Sequence, residues 1–274
     1  MHEKTLAQGE KQAVHDFWER AACGEELYLH DSGRQGYLEQ ARRRYELEPY
    51  VEQFAAFQSA RGQRVLEIGV GLGADHQRFA EAGALLAGID LTERAVAHAR
   101  RRLELFGMSS ELEQGDAENL SFADASFDLV YSWGVIHHSP NTPRAVAEIH
   151  RVLKPGGTAR IMIYHTWSLV GYMLWVRYAL LGLRPWMSLA DIYARYLESP
   201  GTKAYSVAGA RRLFGAFSAV QIQTQLTHGD LLESAAGQRH RGAFLSLARH
   251  IWPRAALRRF GAGHGLFMLI CATK

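Results

Sequence analysis

Cysteine, proline and long apolar runs are scarce in this 274-residue chain, and each scarcity closes off a class of protein. The two cysteines, Cys23 and Cys271, are too few for a disulfide framework or a cysteine-rich zinc site, so a reducing, cytoplasmic setting is expected. Seven prolines beside 26 glycines, with 47% hydrophobic and 22% charged residues, fit neither a collagen-like, a low-complexity nor a disordered chain. In the aromatic-rich middle the longest stretch free of full charges runs from Ile161 to Val176 and stops at Arg177, short of the ~20 apolar residues a spanning helix needs. No apolar core follows the N-terminal MHEKTLAQGEKQAVHDF, so neither a secretory signal nor a membrane span is expected, and the chain should be soluble. Acid is missing from Ser234 to Lys274, where six Arg and one Lys give +7 against +3 overall, leaving −4 for the first 233 residues. Such a basic tail suits an anionic substrate, a nucleic acid or a membrane surface, or is a solvated helix face.

The length suits one large domain, or one domain with an inserted cap. Residues 10–60 have helical spacing at Val14, Phe17 and Trp18, with a break expected at Pro49 before Val51, Phe54 and Phe57. From residue 63 short strands alternate with helices. Strand Arg64–Ile68 ends in glycines and leads to a helix over Asp75–Ala82. Strand Ala84–Ile89 ends at Asp90, and Thr92 is placed to cap a helix running from Glu93 to Leu105. Strands follow at Leu112–Gln114 and Phe127–Tyr131, then a helix over Thr142–Leu153 stopped by Lys154-Pro-Gly-Gly157 and a strand over Thr158–Tyr164. This alternation predicts a doubly wound α/β fold with a parallel sheet covered on both faces. The remainder predicts a helix at Ser206–Phe217, a strand at Ala219–Leu226, mostly helix over Arg239–Phe260, and a last strand at Gly265–Ala272.

The run Glu67-Ile-Gly-Val-Gly-Leu-Gly73 follows a strand and opens a helix, the place where bare glycine backbone lets a ligand come close. Asp90, at the end of the next strand, is positioned to accept hydrogen bonds from ribose hydroxyls in the crevice at the strand ends. Alone the loop also satisfies the dinucleotide fingerprint through Gly69, Gly71 and Ala74. Three further features bear on the choice. Glu67 sits within the strand end, where a carboxylate needs a donor or a cation. Gly115-Asp116-Ala117-Glu118 follows the third strand, where an acid can bond an adenine amino group. Phe127-Asp-Leu-Val-Tyr-Ser-Trp-Gly-Val-Ile-His-His138 and Val152-Leu-Lys-Pro-Gly-Gly157 follow at the spacing of strands four and five.

Taken together, residues 60–165 resemble the class I S-adenosylmethionine-dependent methyltransferases of the kind that act on small molecules; the flanks match no acceptor-defining pattern. The resemblance implies a Rossmann-like, seven-stranded, mostly parallel sheet with an antiparallel last strand, and S-adenosyl-L-methionine as cofactor. It also implies that Gly69, Gly71 and Gly73 let the methionine part lie on the loop while Glu67 helps hold its ammonium end. Asp90, with Leu91 beside it, would bind the ribose, Asp116 and Ala117 would border adenine, and Ser132 and Trp133 would lie beside the methionine and the transferred methyl.

A nucleophile that carries a proton needs a base, and His137, His138, His165, His228 and His240 all titrate near neutrality. His137 after strand four and His228 after strand six are the leading catalytic candidates, each against a structural role; His228 with Asp230 would form an oriented pair, or Asp230 would cap the next helix. No metal is expected, because the thirteen histidines form no ligand-spaced helical pair with carboxylates. Nine of the 17 Trp and Tyr residues fall between Tyr164 and Tyr205, so a helical cap over 166–204 and an N-terminal helical lid over 1–60, the latter through Phe17, Trp18, Tyr28 and Tyr37, are expected to enclose the acceptor, with 61–274 as the catalytic domain. Three rivals stay open. A nucleic-acid methyltransferase fits the basic tail but lacks the Asn/Asp-Pro-Pro-aromatic turn and a Pro-Cys pair; a nicotinamide-dependent oxidoreductase shares only the loop; a non-catalytic adenosylmethionine-binding module would keep the fold. A peripheral membrane contact through Gly242–Phe260, with Phe244, Leu247, Ile251 and Trp252 on one side, competes with ordinary core packing. The acceptor, its accepting atom and the oligomeric state are not legible.

Overall fold

The computed structural model describes residues 2–233, 249–250 and 252–274. Seven strands form one sheet in the order β3-β2-β1-β4-β5-β7-β6, where β1 is Arg64–Ile68, β2 Leu85–Asp90, β3 Glu111–Gln114, β4 Phe127–Trp133, β5 Leu153–Tyr164, β6 Ala219–Gln225 and β7 Phe267–Thr273. The first five pair in parallel, and β7 runs antiparallel between β5 and β6. The expected sheet and its antiparallel closing strand are both present.

The central strands read as apolar runs because both faces are covered, as parallel sheets require. Side-chain alternation sends Leu66, Ile68 and Val130 to one face, against Val146 and Ile149 of α7 (Thr142–Val152). Val65, Leu129 and Tyr131 go to the other, against Phe79 of α5 (Ala74–Ala82) and Phe57. Helix α6 (Glu93–Leu105) begins at Thr92, whose hydroxyl accepts the Ala95 N–H as the sequence anticipated. Strand β5 starts at Leu153 rather than Thr158, with a shift of register against β4 between Phe127 and Leu129 that absorbs the Pro-Gly-Gly segment. Of the expected C-terminal helix, Arg249 and His250 and the segment Arg254–Phe260 are helical; His240, Phe244, Leu247 and Ile251 lie outside the described residues.

The N-terminal segment forms α1 (His2–Arg20), α2 (Glu25–Tyr28), α3 (Arg34–Leu47) and α4 (Tyr50–Ala55), with Pro49 preceding α4. Charge ties it to the sheet. Arg94 makes a two-pronged bond to Glu25, 2.7 and 2.6 Å. Arg102, 1% exposed, faces four neutral acceptors: the side chains of Gln77 and Gln40 and the carbonyls of Leu72 and Tyr37. Burial of that guanidinium with no carboxylate beside it lowers its pKa to about 10.

After β5 come α8 (Leu169–Trp175), a wider π turn at Val176–Leu180, α9 (Leu189–Ile192) and a second π turn at Tyr193–Leu197. Much of the aromatic cluster is this segment's own packing: Tyr178 stacks on Tyr196 at 4.1 Å, the Trp175 indole N–H donates to Met187 O, and Tyr193 is fully buried against Ser168. α10 (Val207–Leu213) then leads to β6.

Candidate active site

The strand order reverses between β1 and β4, and a crevice opens at their carboxyl ends. Loop 69–73 forms one wall. Gly69 has φ +85°, and a Cβ there would come within 2.1 Å of Val135 Cγ2, so only glycine lets the β1 and β4 loops touch. At Gly71, φ +49°, a Cβ would meet nothing within 4 Å: this backbone is bare toward the crevice. The Gly71 N–H donates to Asp90 Oδ2 at 3.2 Å, while Asp90 Oδ1 accepts from Thr92 N at 3.0 Å and Thr92 Oγ1 at 2.8 Å. Burial raises the Asp90 pKa against the pull of these bonds, and the carboxylate is fixed at the crevice edge.

One cavity of about 1050 Å³ occupies the crevice. Gly69, Gly71, Asp90, Leu91, Asp116 and Ala117 line one end; Trp133, Tyr164, Glu198, His228 and Phe267 line the other. Both helical additions contribute walls, Phe17 and Trp18 from α1 and Met173 and Leu174 from α8. Asp116 is bridged from above: Lys11 Nζ of α1 lies 2.6 Å from Asp116 Oδ2 and 2.7 Å from Glu118 Oε2.

Four expected site residues do not line this cavity. Gly73, φ +74°, packs its missing side chain against Ala99 and Arg102 at the start of α5. Glu67 is turned by strand alternation onto the α5 face and is 3% exposed, its Oε2 2.8 Å from His76 Nδ1. His76 Nε2 lies 2.9 Å from Ser110 Oγ, whose proton goes to Leu86 O. That chain makes His76 a donor at Nε2 and an acceptor at Nδ1, so Glu67 carries the shared proton, an assignment from the network rather than from observed hydrogens. Burial agrees at both ends, raising Glu67 well above the carboxyl range and taking His76 down to about 3. Glu67 thus faces His76 and does not line the cavity, its pKa raised by burial.

Ser132 is fully buried and directed away from the crevice, while Trp133, the next residue of β4, faces in. His137 is fully buried behind Tyr164, ring centroids 4.1 Å apart, with no hydrogen-bond partner at either nitrogen among the described residues. Burial, with His138 and Lys203 nearby, holds its pKa well below the usual imidazole range. His137 thus does not line the cavity. The expectation passes to His138, which lines it, with Nδ1 2.8 Å from Ser199 Oγ and Nε2 3.3 Å from Glu198 Oε2. Tyr164 donates its hydroxyl to the same Glu198 oxygen at 2.7 Å. Among the described residues His137, His138 and Glu198 are the one grouping with metal-ligand proximity, their ligating atoms within 4.8 Å, and the Tyr164 hydroxyl already donates to the Glu198 carboxylate.

His228 lines the cavity, its pKa lowered by burial. Asp230 is committed elsewhere, accepting the N–H groups of Val170, Thr227 and Leu266 and the Thr227 hydroxyl. It joins the cap, the end of β6 and the start of β7, in place of an oriented His228–Asp230 pair. His165 is buried with Nδ1 3.3 Å from Gly265 O, away from the cavity.

Sequence reasoning missed three charged groups at the centre of the cavity wall. Arg44 of α3 makes two bonds to Asp75, 2.9 and 2.5 Å, and one to Glu48 at 3.0 Å, and its guanidinium sits 5.7 Å over the Trp133 ring. Burial lifts the Glu48 carboxyl to about 7, with Arg44 and the Trp133 N–H acting the other way. Glu198 comes from the end of the cap. The i,i+4 spacing of Arg44 and Glu48 was a readable helix pair; nothing local marked either as facing a sheet.

Residues 66–161 match the methyltransferase-domain family. That stretch of the chain is a methyltransferase domain. Among its relatives, the phosphatidylethanolamine N-methyltransferase of Cereibacter sphaeroides is 38% identical over 110 residues, 39% of this chain and 54% of that protein. The phthiotriol/phenolphthiotriol dimycocerosates methyltransferase of Mycobacterium leprae is 41% identical over 98 residues, 35% and 36% of the two chains. The chain thus spans about half or less of the length of these curated relatives. The structure of Haemonchus contortus phosphoethanolamine N-methyltransferase 2 in complex with phosphomonomethylethanolamine and S-adenosylhomocysteine has the same fold, with TM-score 0.60 at 18% identity over 95% of this chain and 60% of that one.

Proposed function

We propose that this chain moves a methyl group from S-adenosylmethionine to a nucleophilic O, S, N or C atom of a small molecule with a substantial apolar body. The observation carrying this reading is the single cavity of about 1050 Å³ that joins the bare Gly71 backbone and Asp90 at one end to Tyr164, Glu198 and His228 at the other. The cofactor, when bound, supplies an electrophilic methyl on a sulfonium with a neutral thioether leaving group.

In this reading the ribose hydroxyls bond to Asp90, whose carboxylate is already oriented by Gly71 and Thr92. Leu91, Asp116 and Ala117 border the adenine, Lys11 closes that end from α1, and Gly69 and Gly71 present backbone to the methionine part. Glu67 and Gly73 shape the loop from beneath; Ser132 and His137 buttress the strand-four turn. Arg44, already paired with Asp75 and Glu48, is one of the cations lining the cavity, and the Trp133 face favours a sulfonium. Proton removal, where the acceptor needs it, falls to Glu48, held near neutrality by burial, or to His138 with Glu198; His228 faces the same space. Leu169, Met173, Leu174, Leu197 and Leu232 make the acceptor half apolar, and the two curated relatives act, by name, on phosphatidylethanolamine and on dimycocerosates. Alpha1 and the cap act as lids that exclude water, over 1–60 and 166–204. The cytoplasmic setting belongs to the same reading, supported by two free cysteines.

Calorimetry with S-adenosylhomocysteine should give one site per chain, weakened more than ten-fold in Asp90→Ala, and a labelled methyl group should transfer to a panel of apolar amines, thiols and hydroxyls. A nicotinamide nucleotide binding in its place refutes the reading. Product binding without turnover on any acceptor reduces it to a binding module.

A further inference from the structure

Among the described residues nine large apolar side chains are exposed, and six of them fall within the twenty residues from Trp167 to Trp186. Their densest part is the tip between the first π turn and α9. Leu180, Leu181, Leu183 and Trp186 are 48%, 60%, 82% and 78% exposed, and every residue from 180 to 186 faces solvent. Leu183 holds this position at φ +55°, a conformation glycine adopts at less cost, with Gly182 directly before it. Local folding gains nothing from a leucine there. From His165 to Ala190 there is no Asp or Glu, while Arg184 lies within the apolar tip and Arg177 precedes it. Arg184 makes no ion pair among the described residues. The same segment leads into the cavity, whose wall includes Tyr172, Met173, Val176 and Arg177. Beside it, at the ring contact of Tyr172 with His264, the C-terminal helix adds Phe260, 82% exposed, under Arg259.

We propose that the tip Leu180–Trp186 is a docking surface for an anionic lipid bilayer, with its leucines and Trp186 seated at the level of the headgroups and Arg184 on a phosphate. Exposed apolar groups gain by leaving water, an indole favours the headgroup region, and a cation near an anionic surface gains roughly five-fold in affinity. Charge complementarity selects the occupant: a tip with an exposed arginine and no carboxylate suits a negatively charged surface better than a second copy of itself, which would bring like charges together. This places the membrane contact on the cap, forward of the basic tail where the sequence left it open. It stands apart from the methyl-transfer reading, since docking needs no cofactor.

The test is co-sedimentation with sucrose-loaded vesicles of phosphatidylglycerol and phosphatidylcholine, and of phosphatidylcholine alone. The chain should partition onto the anionic vesicles, less at high salt, and weakly or not at all onto the neutral ones. Leu181→Asp with Leu183→Asp should lower the partition coefficient at least ten-fold. Leu183→Gly, which relaxes the backbone and secures a folded variant, should lower it several-fold. Leu85→Asp, at the opposite end of the sheet, should leave it unchanged. Equal binding by the tip variants and the parent, or no binding of the parent to anionic vesicles, overturns the proposal. So does a dimer in analytical ultracentrifugation that the tip variants convert to monomer, which would make this face a contact between copies.

Discussion

Removing the negative charge of Asp75 tests how the N-terminal helices are held over the crevice. Asp75, 5% exposed, receives two bonds from Arg44, one from Tyr45 at 2.9 Å and one from Tyr131 at 2.8 Å. Asp75→Asn keeps the shape but turns an amide N–H₂ toward one of those donors and leaves the Arg44 cation with Glu48 alone. Breaking a buried pair costs about 3–5 kcal/mol when the surviving charge is left without compensation. Arg44 keeps Glu48 and is about one-fifth exposed, so about 3 kcal/mol is expected here. For a chain of this size that is a fall in Tm of roughly 6–12 °C. The pH dependence carries a second signature. Burial alone would raise the Asp75 pKa, but Arg44 and the hydrogen bonds outweigh it and hold it low. A carboxyl depressed by folding stabilises above its unfolded pKa of ~3.9, and that contribution is lost as pH falls through the folded value. The gap between parent and Asp75→Asn, followed by circular dichroism, should therefore be full at pH 7 and shrink below about pH 4. A loss under about 1 kcal/mol at pH 7, or a gap that stays constant into acid, refutes the anchor.

Glu48 has the opposite sign: raised by folding to about 7, it stabilises fully below its unfolded pKa of ~4.3 and loses that contribution as pH rises through 7. Glu48→Gln should therefore gain on the parent by roughly 3 kcal/mol between pH 5 and 8 in denaturant titrations, and if Glu48 is the base, kcat/KM loses its rise near pH 7. Gly69→Ala forces a Cβ into Val135 at positive φ; a loss of about 2–4 kcal/mol and a more than ten-fold weaker S-adenosylhomocysteine affinity are expected by thermal melting and calorimetry.

Periodicity, the glycine run and the acids after strands two and three pointed to the parallel strands and to the loop that borders the cavity, because those features are local: a strand end, a turn that needs positive φ, a carboxylate at a fixed offset. Direction and partnership were not local. Whether Glu67 faces a ligand or His76 depends on the room that Gly88 leaves, where a Cβ would lie 2.6 Å from His76 Cε1. Whether His137 or His138 meets the cavity depends on one residue of turn geometry, and whether Glu48 titrates near neutrality depends on how deeply α3 is buried beside Trp133. Residue types and spacing set which chemistry is present. Burial and packing between segments far apart in the chain set which groups face the cavity, which stay charged and which are sealed beneath it, since desolvation and pairing exist only once the tertiary fold brings those segments together.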